Sequence, residues 1–233
     1  MAAIHETAYP RIKPNLSRKE LKEIFTPTPD ELFLLNSKTK RTLSLPRLGF
    51  MITLKCYQYL GRPIRVNKVQ EFIKNYIASN LDIKNDIDLT TYDTSARKRH
   101  IKIIREYLKI NSDKKARRKT MSEVALNAAT TKENLADIVN CIIDEVIRLR
   151  FELPPFQKLV RLSRAARTFV NNENYLKIFN ALSLEQKKLI DQIVGIEGFS
   201  ENDNAQNNAL SWTMLKLESK NQPATISSNT FNT

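Results

Sequence analysis

The sequence predicts an all-α protein, and three observations carry that reading. Glycine is scarce, with 4 in 233 residues. Apolar residues recur at three- and four-residue spacing almost throughout, and no alternation of polar and apolar residues persists as a half-buried strand requires. Several helix starts are written in capping chemistry. Ser17 with Glu20, Thr28 with Glu31, Thr120 with Glu123 and Ser183 with Gln186 each fit a box in which side chain and backbone satisfy each other's unpaired groups.

Taken in order, the spacing predicts helices near 17–24, 29–37, 44–60, 67–80, 94–109, 120–130, 132–150, 155–170, 173–181, 184–194 and 205–218. Pro29 suits the first position of the second. Gly61-Arg62-Pro63 separates the third from the fourth, which Asn67 is placed to cap, and Leu153-Pro154-Pro155 makes another firm break. Lys109 to Lys119 loses apolar periodicity within a charge run and reads as a linker. The expected architecture is two helical subdomains, helix-turn-helix-like, over 17–112 and 113–218, preceded by a mobile N-terminal arm over 1–16. Residues 219–233, mostly Asn, Gln, Ser and Thr, cannot bury enough surface to fold alone and read as a disordered tail or linker.

Lys and Arg total 38 against 25 Asp and Glu, a net charge of +13 that favours a polyanionic partner: nucleic acid first, an anionic membrane surface second. Cys56 and Cys141 each fall within an apolar helical pattern and read as core packing, with neither a disulfide framework nor a zinc cluster indicated. Met1 to Pro14 has no apolar signal region and no stretch approaches 18 uninterrupted apolar residues, so the chain is expected in the cytoplasm.

The positive charge is concentrated. Between Thr94 and Lys119 lie Arg97, Lys98, Arg99, Lys102, Arg105, Lys109, Lys114, Lys115, Arg117, Arg118 and Lys119, opposed only by Glu106 and Asp113. On a helix, Lys98, Lys102, Arg105 and Lys109 share one stripe, beside an apolar stripe of Ile101, Ile104 and Leu108 joined by Tyr107. Like charges at this spacing repel, and a phosphate backbone relieves the repulsion; a solvated helix face is the competing account. Arg161, Arg164 and Arg167 form a second cluster, anchored by Leu159, Leu162 and Phe169, for which snorkelling side chains are an equal explanation. Lys68, Gln70 and Lys74, preceded by Arg62 and Arg65, are residue types that reach bases and phosphates from a recognition helix, or simply meet solvent.

No glycine-rich phosphate loop, nucleophile elbow, H-E-x-x-H or paired C-x-x-C occurs, and no catalytic residue, metal ligand or cofactor site is nominated. His5 falls in the arm and His100 in the basic run, so neither is placed for general-base chemistry. Asp82, Asp86 and Asp88 lack the turn glycine and terminal Glu of a calcium loop and read as an acidic loop. Trp212, with Leu210, Met214 and Leu215, reads as core.

Ordered motifs add a resemblance. Phe25-Thr26-Pro27-Thr28-Pro29-Asp30-Glu31-Leu32, then Arg47-Leu48-Gly49-Phe50, then Leu54-Lys55-Cys56-Tyr57-Gln58-Tyr59-Leu60-Gly61-Arg62 follow one another. Phe72-Ile73 with Leu81, Arg97 to Leu108, Leu153-Pro154 and Ser211-Trp212 come after. From about Leu21 to Pro223 the chain resembles the N-terminal region of Tn-three family transposases. The resemblance implies binding to the terminal inverted repeats of a transposon, in a bacterial, nucleoid-associated setting, without the RNase H-like domain that cuts and joins DNA. Arg47, Arg62, Arg97, Arg99, His100 and Arg105 fall on its pattern. The partners it implies are double-stranded DNA and, through self-association, another copy or the full-length transposase. A truncated transposase acting as a regulator, or a basic helical RNA-binding protein, are the other readings.

Overall fold

The computed structural model describes residues 3–84, 87–93 and 95–193, and among these the protein is all-α, with no strand. Its helices are α1 (Arg18–Phe25), α2 (Pro29–Lys38), α3 (Ser44–Leu60), α4 (Glu71–Asn80), α5 (Ser95–Tyr107), α6 (Lys114–Ala129), α7 (Leu135–Arg148), α8 (Phe156–Ala181) and α9 (Leu184–Ile193). Short 3-10 turns occupy Ile4–Glu6, Val66–Lys68 and Thr90–Asp93. The predicted helix at 205–218, the tail at 219–233, Trp212 and its apolar neighbours, and Asp86 lie outside the described residues.

Three of the capping boxes form. Ser17 opens α1 and Thr28 opens α2 with reciprocal side-chain and backbone bonds to Glu20 and Glu31, and Ser183 exchanges bonds with Gln186 ahead of α9. The Thr120 box does not form, because α6 has already started: the Asp113 carboxylate accepts from the amides of Lys115 and Ala116 and caps it six residues after the end of α5. The expected linker over 109–119 therefore shrinks to residues 108–113. Asn67 sits in a 3-10 turn instead of capping α4, whose cap is Gln70. The helices expected at 155–170 and 173–181 are one, α8, since nothing between them forbids helical backbone.

With so little glycine, three helices close on residues that ordinarily avoid left-handed backbone. Asp82, Lys109 and Arg150 all have φ near 53–54°, and the amide after each bonds back five residues, to Ala78, Arg105 and Val146 respectively. Gly61, at φ 64°, closes α3 without the steric cost, its own amide bonding back to the Tyr57 carbonyl.

Residues up to Asn174 form one compact unit, and a second begins at Tyr175, a division that falls within α8. The first unit holds two hydrophobic cores. One is built round α3, which is buried on every side from Leu48 to Tyr57 and packs against α1, α2, α4 and α5. Gly49 is required there, because a Cβ would stand 2.5 Å from the Tyr92 ring. Cys56 is wholly buried in this core, and burial pushes its thiol up to about 12. Inside it the Lys55 ammonium lies 3.2 Å from the Glu31 carboxylate, which also accepts from the Gln58 amide at 2.7 Å.

The other core is laid down by α7, whose Ile138, Val139, Ile142, Ile143 and Val146 repeat at helical spacing and cluster with residues of α6 and the start of α8. The N-terminal residues, expected as a mobile arm, lie on this core. Tyr9 is buried, its hydroxyl donates to the Pro154 carbonyl at 3.0 Å, and the Ala8 amide donates to Asn140. The cores are tied where Leu153 donates its amide to the Gly61 carbonyl at 2.8 Å.

Candidate nucleic-acid interface

On α5 the helical period separates two faces. His100, Ile101 and Ile104 are buried, while Lys98, Arg99 and Lys102 are exposed on the opposite side. The expected stripe of Lys98, Lys102, Arg105 and Lys109 is broken at its third and fourth members. Arg105 donates through Nε and an NH2 nitrogen to Glu152. Lys109 remains exposed but stands past the helix end on left-handed backbone. Arg97 is drawn inward as well, donating to the Ile64 carbonyl at 3.0 Å.

On α6, Lys114, Lys115, Arg118 and Lys119 are exposed, and Lys119 stands 3.8 Å from Glu123, a weak surface pair. Ala116, Met121 and Ala125 turn to the second core. Arg117 leaves the cationic face and donates to the Glu152 carbonyl at 2.9 Å. Glu152 is thus a junction. Its carboxylate takes Arg105 of α5 and the Tyr57 hydroxyl of α3, at 2.9 Å, while its backbone oxygen takes Arg117 of α6. Burial first, and then the Glu152 charge, hold the Tyr57 hydroxyl above the usual phenol range, so it is the donor in that bond.

Glu152 was not singled out by sequence reasoning. The one available signal is that no other acid occurs between Glu145 and Glu173, in a stretch carrying five arginines. The junction has a consequence for the surface: with Arg105 and Arg117 reaching one residue, the end of α5 and the start of α6 lie together. The remaining cations of the run stay exposed on either side of it: Lys98, Arg99 and Lys102 along α5, Lys109 in the turn, and Lys114, Lys115, Arg118 and Lys119 in the first turns of α6.

The other predicted residues divide in the same way. Arg65 and Lys68 are exposed, but Arg62 stacks over the Tyr9 ring at 5.7 Å and Lys74 pairs with Glu71 at 2.8 Å. On α8, Arg161 and Arg164 are exposed, whereas Arg167 donates to the Glu133 carbonyl. Leu159 anchors this helix in the second core and Leu162 lies against it, but Phe169, expected as a third anchor, is 56% exposed. Arg47 donates to Asn36, fastening α3 to α2. Among the described residues no group of three His, Cys, Asp or Glu side chains is placed to hold a metal ion, and no helix is long and apolar enough to cross a membrane.

His100, on the resemblance pattern and inside the basic run, faces the core. It is 2% exposed, its Nδ1 lies 2.8 Å from the Tyr92 hydroxyl, and the Phe50 ring meets it edge-on. Burial, reinforced by the Arg99 charge, lowers its pKa to about 4. The unfolded chain protonates this ring near pH 6.5 and the folded one does not, so the stability it permits is complete above that pH. Lowering the pH from 6.5 to 4 should therefore remove on the order of 3 kcal/mol of stability through this one group. Urea melts of wild type and His100→Gln at pH 7 and pH 4.5 would check it; an equal acid loss in both would refute the assignment.

The description Domain of unknown function (DUF4158) belongs to a family model that matches residues 1–166, a span that includes the whole cationic face and most of both cores. No curated protein matches the chain.

Proposed function

We propose, from the premise that the chain belongs to the DUF4158 family, that it is a double-stranded DNA-binding module that performs no chemistry on its ligand. The observation that carries this reading is the junction at Glu152. It takes up two of the run's arginines internally, while eight further cations of α5, the connecting turn and α6 stay exposed. Asp113, one of the two acids in that run, spends its carboxylate on the α6 cap. A strongly cationic surface of this kind costs self-repulsion that a phosphate backbone relieves.

The resemblance to Tn-three transposases directs the proposal further, to the terminal inverted repeats of a transposon. There the chain would serve as the DNA-holding part beside a separate catalytic domain. Arg65 and Lys68 before α4, with Arg161 and Arg164 on α8, are further exposed cations available to the same ligand.

Fluorescence anisotropy with a duplex from the repeats flanking the coding region, against a scrambled duplex, tests both levels. Binding should weaken steeply with salt, with log Kd against log salt changing by about 4 to 5 if about four to six phosphates are neutralised. Equal affinity for the two duplexes would remove the sequence-specific part, and no binding to either would remove the DNA-binding role. Preference for an A-form RNA duplex would favour the RNA reading instead.

A further inference from the structure

Between Glu31 and Glu71 the sequence contains no acidic residue, and within that span Lys38, Lys40 and Arg41 fall in four positions. All three lie at the end of α2 or in the turn to α3, all three are exposed, and none meets a carboxylate among the described residues. The turn is held in one shape. The Thr39 amide and hydroxyl both bond to the Leu35 carbonyl, the Leu43 amide bonds back to Lys40, and Arg47 bonds to Asn36 across it. Three like charges on so short and fixed a segment are not relieved by any neighbour.

The helix that follows adds to the same field. Its cap residue, Leu43, offers no side-chain bond to the first turn, so the positive end of a 17-residue helix is open beside the cations. The position of the turn is set by how α3 and α5 pack. Phe50 meets His100, and seven residues later Tyr57 meets Arg105 at Glu152, so the two helices run parallel. Stepping back from Phe50 to Ser44 and from His100 to Ser95 retraces about 9 and 7.5 Å at the helical rise. The α2–α3 turn and the start of α5, which carries Lys98 and Arg99, therefore share one end of the first core.

We infer that Lys38, Lys40 and Arg41 form a second phosphate contact, which grips the same duplex as the α5–α6 face. The inference rests on the DNA-binding reading above. Its test uses the full chain and a fluorescein-labelled 30-base-pair mixed-sequence duplex, because phosphate contacts are indifferent to sequence. In the variant Lys38→Gln/Lys40→Gln/Arg41→Gln, Kd should rise about ten- to hundredfold near 0.1 M salt and the salt slope should shrink by about two to three. The melting temperature should stay at the wild-type value. Wild-type binding with Kd and slope unchanged in the variant would overturn this contact alone, leaving the α5–α6 face standing. Absence of wild-type binding would overturn the contact together with the reading beneath it.

Discussion

Replacing Lys98 and Lys102 by glutamate is expected to abolish duplex binding, raising Kd at least about 100-fold at moderate salt, with helical circular dichroism and melting unchanged. Both side chains are exposed, and the buried stripe of α5 is formed by His100, Ile101 and Ile104. The helix thus loses only charges that repel one another. Arg105→Glu is expected to act differently, although it removes a cation from the same run. It would set a second carboxylate against Glu152 and leave that acid with the Tyr57 hydroxyl as its side-chain donor in place of a cation. A loss of about 2–3 kcal/mol in unfolding free energy should follow. Wild-type affinity in the double variant would rule out α5 as an interface. Normal melting with lost binding in Arg105→Glu would return that arginine to the DNA surface.

The second large effect lies in the first core. Lys55→Met keeps the aliphatic stem but removes the charge opposite Glu31, and both partners are almost wholly buried, at 5% and 2% exposure. Glu31 keeps the Gln58 amide and the Thr28 backbone amide, neither of which neutralises it. Leaving one charge of a buried pair uncompensated costs about 3–5 kcal/mol, which for a unit of this size lowers Tm by roughly 10 °C. The double variant Glu31→Gln/Lys55→Met should recover most of that loss, because no lone charge remains. A single variant melting within about 1 °C of wild type would show that water or another group reaches the pair.

Much of the fold is legible before any coordinates. The boxes at Ser17, Thr28 and Ser183 mark real helix starts, and the breaks at Gly61 and Leu153 fall where the backbone turns. The box at Thr120 has the same pattern and starts nothing. A capping motif states that a helix is allowed to begin, and Asp113 begins this one earlier, so the motif ends up inside it. Asn67 fails for a related reason: a 3-10 turn comes first and moves the start of α4 to Glu71.

The candidate site was half legible. Periodicity put Lys98 and Lys102 on a stripe apart from that of Ile101 and Ile104, as found, because both sets belong to one helix and its geometry is local. It could not say which arginines were free, since their partners are remote in sequence: Arg105 meets Glu152, Arg97 meets Ile64 and Arg167 meets Glu133. The most recognisable resemblance block, Arg47 to Arg62, contains the pair partner Lys55, the clearance at Gly49 and the helix-closing residue Gly61, so its specificity lies largely in packing.

By itself, then, the amino-acid order determined an all-helical chain with a concentrated cationic segment, because backbone capping, the 3.6-residue period and net charge are properties of short stretches. Tertiary structure alone decided which cations remain on the surface. A guanidinium with a carboxylate or carbonyl in reach is desolvated and spent on the fold, and only the packing of α3, α5 and α6 around Glu152 determines which ones find such a partner.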